Sequence, residues 1–144
     1  MKLATYFTFS GRTSRLGYWR LQVPLILFAA VFWCGGFLLA ELTGVDWLSG
    51  LGVVALLPLV WAVTALYFRR LHDRNKSGWW MVPFYFGPLA IDLAVYTLAG
   101  HGENQTAGLI ALAGLALWIW AFVEVGLLGG TRGPNRFGPD PRTA

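Results

Sequence analysis

A chain of 144 residues that is 56% hydrophobic and only 12% charged lacks the composition of a soluble domain, where about a quarter of residues are charged. At this length it cannot bury so much apolar surface within itself, so lipid is the expected solvent. A formal net charge of +4 could suit nucleic acid, but the placement of the charges accounts for it without such a partner.

Residues 1–20 hold Lys2, Arg12, Arg15 and Arg20, with Gly11 as a turn and Thr13 or Ser14 placed to cap the helix that follows. The apolar run after them has 22 residues, longer than the roughly 7–15 of a signal-peptide core, and reads as a retained first span. About 20 apolar residues in a helix cross the ~30 Å hydrocarbon layer. Four stretches meet that requirement: Leu21–Leu42, Leu48–Phe68, Trp79–Leu98 and Thr106–Leu128. The links Thr43–Trp47, Arg69–Gly78 and Ala99–Gln105 are short, so consecutive helices should be antiparallel neighbours.

Within the first span Cys34 is the lone cysteine, which allows no internal disulfide and no cysteine metal site. Pro24 lies near the start of that span and Pro58 in the middle of the second, where a bend is expected. Ser77 is placed to cap the third helix, and Gly87-Pro88 in its middle predicts a kink or break, because proline removes a donor and clashes with the preceding turn. In the fourth, Ala107, Ala111 and Gly114 form a small-residue stripe that lets another helix approach closely. Tyr18, Trp19, Tyr67, Trp79 and Trp80 fall at one proposed interface and Trp47 and Tyr96 at the other, as amphipathic rings prefer. Trp33, Trp61, Trp118 and Trp120 fall deeper, where packing between helices is expected of them. The tail, 129–144, is punctuated by Gly and Pro and reads as a loop or a flexible end.

The basic residues fix an orientation. Besides the N-terminal four, Arg69, Arg70, Arg74 and Lys76 lie in the second link and Arg132, Arg136 and Arg142 in the tail; the other links have none. With four spans, all eleven share one face, which the positive-inside rule assigns to the cytoplasm. The fold expected is therefore all-α: a polytopic membrane protein of four antiparallel transmembrane helices, one membrane domain over residues 1–144, with both termini cytoplasmic.

Three segments carry a further signal: Phe7-Thr8-Phe9-Ser10-Gly11-Arg12-Thr13-Ser14-Arg15 with Tyr18-Trp19; Arg69-Arg70-Leu71-His72-Asp73 with Ser77-Gly78-Trp79-Trp80; and Gly133-Pro134-Asn135-Arg136-Phe137-Gly138-Pro139-Asp140-Pro141. In order and spacing they resemble the YhaH/YhaI-like family of small bacterial inner-membrane proteins, a domain-of-unknown-function family. The resemblance covers nearly the whole chain and implies a location in the bacterial cytoplasmic membrane. It brings no activity, cofactor or catalytic residue.

All three segments fall on the cytoplasmic face, whose formal charge is +9 against −3 on the outer loops. Such a surface, ringed by tryptophan, suits anionic lipid headgroups or a docked membrane-protein partner. The candidate contacts are Arg12, Arg15, Arg69, Arg70, His72, Asp73, Trp79, Trp80, Asn135 and Arg136. Orientation and helix capping with no specific ligand would use the same residues. Asp73 is expected to pair with Arg69, one turn earlier, or with an arginine of another motif. Two intramembrane carboxylates remain. Glu124 lies at the depth of Arg69 and Arg70, and an ion pair there would lock the fourth helix to the second. Asp92 has no basic residue at its depth; it is expected to face Thr97, Thr106 or His101, or to sit protonated between helices.

The function expected is thus non-enzymatic docking of lipid or a partner. The alternatives are a small transporter or channel component using Asp92, in which a pore would require a homo-oligomer, and a lipid-modifying enzyme using His72 with Asp73 or Asp140. His72 and His101 fall on opposite faces, and no metal, cofactor or nucleic-acid site is expected.

Overall fold

The computed structural model describes residues 7–45, 54 and 56–143, and all that follows concerns these. The expectations placed on Lys2 and Trp47, and on the first part of the span Leu48–Phe68, lie outside the described residues.

Helix α1 runs over Arg15–Thr43, six residues ahead of the apolar run. Ser14 caps it, its hydroxyl accepting from the Gly17 amide at 3.2 Å, and Gly11 makes the preceding turn at φ +86°. This early start places Pro24 inside the helix rather than at its beginning. Gly44 closes α1 in the left-handed conformation, its amide bonded to the Ala40 carbonyl. Helix α2 is described over Leu57–Asp73, with Pro58 in its first turn. A proline there gives up an amide that has no intrahelical acceptor anyway, so it does not bend the described helix.

The next helical stretch runs from Gly78 to Gly100 in three pieces. Ser77 stands at the cap position but makes no side-chain capping bond; its carbonyl instead opens a 3-10 turn, Gly78–Trp80. A π-helical turn follows over Val82–Phe86, and helix α3 then runs over Gly87–Gly100. The irregularity expected at Gly87-Pro88 is thus real, and it takes the form of a wide turn just before the proline. Such a turn absorbs the missing amide and the ring without ending the helix. Helix α4, Asn104–Ala121, continues into a second π turn, Phe122–Leu127. Arg15–Thr43, Gly78–Gly100 and Asn104–Leu127 are each long and apolar enough to cross a membrane. The described chain is helical apart from its turns and the tail, which holds one isolated bridge between Asn135 and Gly138.

Packing is concentrated at one end. Tyr18, Leu21, Leu66, Tyr67, Leu71, Met81, Phe84, Ala121 and Val125 form a buried core where the start of α1, the end of α2 and the two π turns meet. Away from that end, α1 leaves Val31, Trp33, Phe37 and Leu42 exposed. In water this would be a defect; in lipid, exposed apolar side chains are at no disadvantage. Helices α3 and α4 pack along their length through the small-residue stripe. A Cβ added to Gly114 would lie 2.6 Å from Ile91 Cγ2, and Ala107 and Ala121, each seven residues from Gly114 on the same face, are also buried. Ala111 is exposed and does not belong to that face. Of the deep tryptophans, Trp61 meets Phe9 and Trp120 meets Phe84 edge to face, whereas Trp33 and Trp118 have no ring neighbour among the described residues and face outward.

Candidate functional site

At the packed end the three motifs fold into one polar cluster around Asp73, the last residue of α2. Its Oδ1 accepts from Arg12 Nη2 at 3.0 Å and Nε at 3.2 Å, and its Oδ2 from Arg70 Nη1 at 2.5 Å. The three side chains are 3% exposed or less. The Arg12 guanidinium has five N–H groups in a rigid fork. Its Nη1 also donates to the carbonyls of Gly133 and Gly138 at 2.7 and 3.2 Å, and its Nη2 to that of Thr131 at 2.6 Å. Every donor of Arg12 is therefore matched, and one side chain ties the first motif, the second and the tail together.

Thr131 is the hinge of the tail. Its amide and hydroxyl donate to the Asp73 carbonyl at 2.8 and 3.1 Å, and Asn135 Nδ2 donates back to the Thr131 hydroxyl at 2.9 Å and to the His72 carbonyl at 3.0 Å. The tail then turns sharply, with Asn135 and Gly138 exchanging backbone hydrogen bonds at 3.0 Å. Asp140 closes it by accepting from the Gly133 amide and from Arg142, whose guanidinium holds its carboxyl well below the usual range. The tail is a structured loop.

The end of α4 explains the remaining cations. A helix leaves its last carbonyls without intrahelical partners. Here five successive carbonyls receive side-chain donors: Val125 from Arg70 Nε at 2.7 Å, Gly126 from Trp19 Nε1 at 2.8 Å, Leu127 from Arg15 Nη1 at 2.9 Å, Leu128 from Arg70 Nη2, and Gly129 from Arg74 Nη1 at 2.6 Å. Positive charge also suits the negative end of a helix dipole. Trp19, which the sequence suggests for an interface belt, serves here as a capping donor.

Glu124 does pair across to the end of α2, but not with the expected arginines. Its Oε1 accepts from Arg74 at 2.9 Å, with Lys76 Nζ at 3.6 Å. The reason is geometric: Arg70 is committed to Asp73 and the α4 carbonyls. Arg69 is 5% exposed, and its Nε and Nη2 have no hydrogen-bond partner; the same holds for Oε1 of the buried Gln22. Arg69 therefore does not take the pairing with Asp73 that its one-turn spacing suggests.

His72 stacks flat on Phe137, centroids 3.9 Å apart, with Phe68 edge-on at 5.0 Å, and its Nδ1 donates to the Gly11 carbonyl at 3.2 Å. Burial holds its imidazole below the ordinary value. Arg136 covers the other side of Phe137 and donates to the Asn75 carbonyl. Trp80 packs on Phe84 beneath Lys76, and Trp79 projects outward, 81% exposed. Asp92 lies on the exposed face of α3; it does not sit between helices, and no hydrogen bond to Thr97, Thr106 or His101 is present among the described residues.

Three of the residues that build this cluster carried no functional signal in the sequence: Thr131, Arg74 and Gly130. The last must lack a side chain, since a Cβ there would fall 1.9 Å from Asp73 Oδ2. His72 and Asp73, adjacent in sequence, are both committed to packing: one is sandwiched by rings, the other held by two guanidiniums.

Beside the cluster is a cavity of about 450 Å³, walled by Ser14, Arg15, Leu16, Asp73, Gly129, Gly130, Pro141 and Arg142. A second, apolar groove of about 610 Å³ runs between Phe68 and Trp79, with Phe9, Met81 and Phe86 in its walls.

Relatives match the chain over nearly their whole length. The inner membrane protein YhaH of Escherichia coli (strain K12) is 31% identical over 97% of this chain and 92% of its own. The inner membrane protein YhaI of the same strain is 29% identical over 97% and 91%. No solved structure gives a significant match. Like these relatives the chain is a membrane protein, and a family model spanning residues 6–139 shows that it belongs to the family described as "Protein of unknown function (DUF805)".

Proposed function

We propose that the chain crosses the inner membrane four times as a single unit, with both termini and every Lys and Arg on the cytoplasmic side, and that its cytoplasmic end docks the anionic headgroups of membrane lipid. The observation that carries the docking reading is the arginine-lined cavity between the start of α1 and the tail. Arg15 and Arg142 both line it, Arg142 held by Asp140. The carboxylate in its floor, Asp73, is already neutralised by Arg12 and Arg70. What remains for a ligand is a net positive, water-accessible pocket at the depth where phosphates lie.

The reading also divides the candidate residues by role. Arg12 and Arg70 are turned inward and hold the cluster together. Arg15, Arg20 and Arg132 are exposed, and a cation near an anionic leaflet is worth about 1 kcal/mol of attraction, whereas Arg142 is held by Asp140. Trp79, also exposed, suits the headgroup layer.

Native mass spectrometry of the detergent-solubilised protein tests this. Phosphatidylglycerol should give retained adducts that phosphatidylethanolamine does not, and the double variant Arg15→Gln, Arg142→Gln should lose them. Equal adducts with both lipids, or adducts indifferent to the double variant, would leave orientation and capping as the whole role of the basic residues. Reporter fusions at the tail and in the link before Leu48 test the four-span arrangement separately.

A further inference from the structure

Asp92 is a carboxyl group on the lipid-exposed face of a spanning helix. It lies 14 residues into the stretch Gly78–Gly100, about 20 Å from one end and 12 Å from the other. Its side of α3 is settled by its neighbours: Leu89, Leu93 and Tyr96 are 50, 65 and 79% exposed, while Pro88 is buried and Ile91 meets Gly114 of α4. Every Lys and Arg in the sequence lies in 1–20, 69–76 or 132–142, so the chain offers no cation at this depth. Hydrocarbon cannot serve the group's polar atoms, whether charged or neutral, so a carboxyl facing lipid tails is costly.

We propose that a second copy of this chain covers Asp92, through a two-fold interface formed by the exposed face of α3. Symmetry selects this occupant. Both copies sit in the membrane with the same orientation, so a two-fold axis along the bilayer normal brings each residue to the depth of its own counterpart. Asp92 then meets Asp92, and a carboxyl group is self-complementary: with a proton shared between them, one oxygen donates and another accepts. Leu89, Leu93 and Tyr96 flank the pair with an apolar strip that packs on itself. The inference depends on α3 spanning the membrane and is independent of headgroup docking and of the number of spans.

Cysteine cross-linking in native membranes tests it, on a Cys34→Ala background that removes the only endogenous thiol. Leu89→Cys and Tyr96→Cys, with Asp92 intact, should give a dimer-sized band on mild oxidation, and Ile91→Cys, which faces α4, should not. Adding Asp92→Leu should lower the yield about three- to tenfold, the range of a lost interhelical polar contact, while Asp92→Asn, which still donates and accepts, should preserve it. Leucine favours insertion, so loss of the band in that variant reports on pairing and not on failure to enter the membrane. Equal yields on both faces, no yield at either exposed position, a product containing a different protein, or a yield indifferent to Asp92→Leu would each overturn the proposal. Lipid-adduct spectra of Asp92→Leu should match the parent, which separates this failure from that of the docking reading.

Discussion

Arg12 Nη2 lies 3.0 Å from Asp73 Oδ1, joining positions 61 residues apart and setting the geometry of everything at the packed end. Two guanidiniums on one carboxylate, in near-complete burial, would repel each other without it. The carboxylate in turn would be an uncompensated buried charge without them. The tail is held to α2 mainly because Arg12 reaches past Asp73 to the carbonyls of Thr131, Gly133 and Gly138.

Arg12→Met should therefore destabilise the protein by about 3–5 kcal/mol, the range for breaking a buried pair by removing one partner. Arg12→Lys should recover little of it, since an ammonium cannot reproduce a five-donor planar fork. Thermal melts in detergent, followed by tryptophan fluorescence, measure the stability. Proteolysis at Arg136 and Arg142 should reveal a released tail in both variants. A lysine variant as stable as the parent would show that charge alone suffices.

The adjacent Arg69 and Arg70 should respond in opposite ways to the same substitution. Arg70→Met removes three matched hydrogen bonds, two of them to the end of α4, and leaves Asp73 with one partner; a loss of several kcal/mol is expected. Arg69→Met removes a buried guanidinium whose Nε and Nη2 are unmatched, and burying such donors is itself unfavourable by about 1–3 kcal/mol. That variant should be as stable as the parent or more so. A loss at Arg69 equal to that at Arg70 would mean that Arg69 holds a partner in the membrane.

Gly129 and Gly130 make a similar contrast. At Gly129 an added Cβ meets nothing within 4 Å, so Gly129→Ala should change stability by no more than about 0.5 kcal/mol. At Gly130 it would fall 1.9 Å from Asp73 Oδ2, and Asp73 cannot retreat because both its oxygens are bound. Gly130→Ala should cost about 1–3 kcal/mol or more and loosen the tail. Melting temperatures of the two single variants decide the matter directly.

That the chain is helical, with helices long and apolar enough to cross a membrane, was legible because lipid imposes a simple rule on composition and length. Caps and turns were legible where a single residue carries them, as with Ser14 and Gly11. Pro58 and Pro24 were misplaced because hydropathy marks the apolar part of a helix and not its ends: α1 begins six residues before its apolar run. The polar cluster was legible as a convergence of motifs but not in its wiring. Arg69 and Arg70 are indistinguishable in the sequence, and only the rotation of α2 separates them. The partners of the arginines are mostly backbone carbonyls, which have no residue identity and leave no mark on the sequence. Asp92 was expected between helices because a buried carboxyl is the common case, and its outward placement depends on which face of α3 packs on Gly114.

The last prediction concerns pH. Burial holds the His72 imidazole below its ordinary pKa of about 6.5, the bond from Nδ1 to the Gly11 carbonyl opposes this without reversing it, and the nearby Arg136 adds to the lowering. The unfolded chain thus takes up the proton first as pH falls. Above about 6.5 both states are neutral and the full stability is present; below it the unfolded state gains protons that the folded state refuses, and stability declines until the folded imidazole titrates as well. Melts between about pH 8 and pH 5 should show this decline in the parent protein. His72→Phe keeps a ring on Phe137 and should remove the His72 share of the slope while leaving the high-pH melting temperature nearly unchanged. A steeper decline in the variant, or a parent that grows more stable toward low pH, would show that the proton is instead bound in the folded state, with Nε2 donating to a partner outside the cluster.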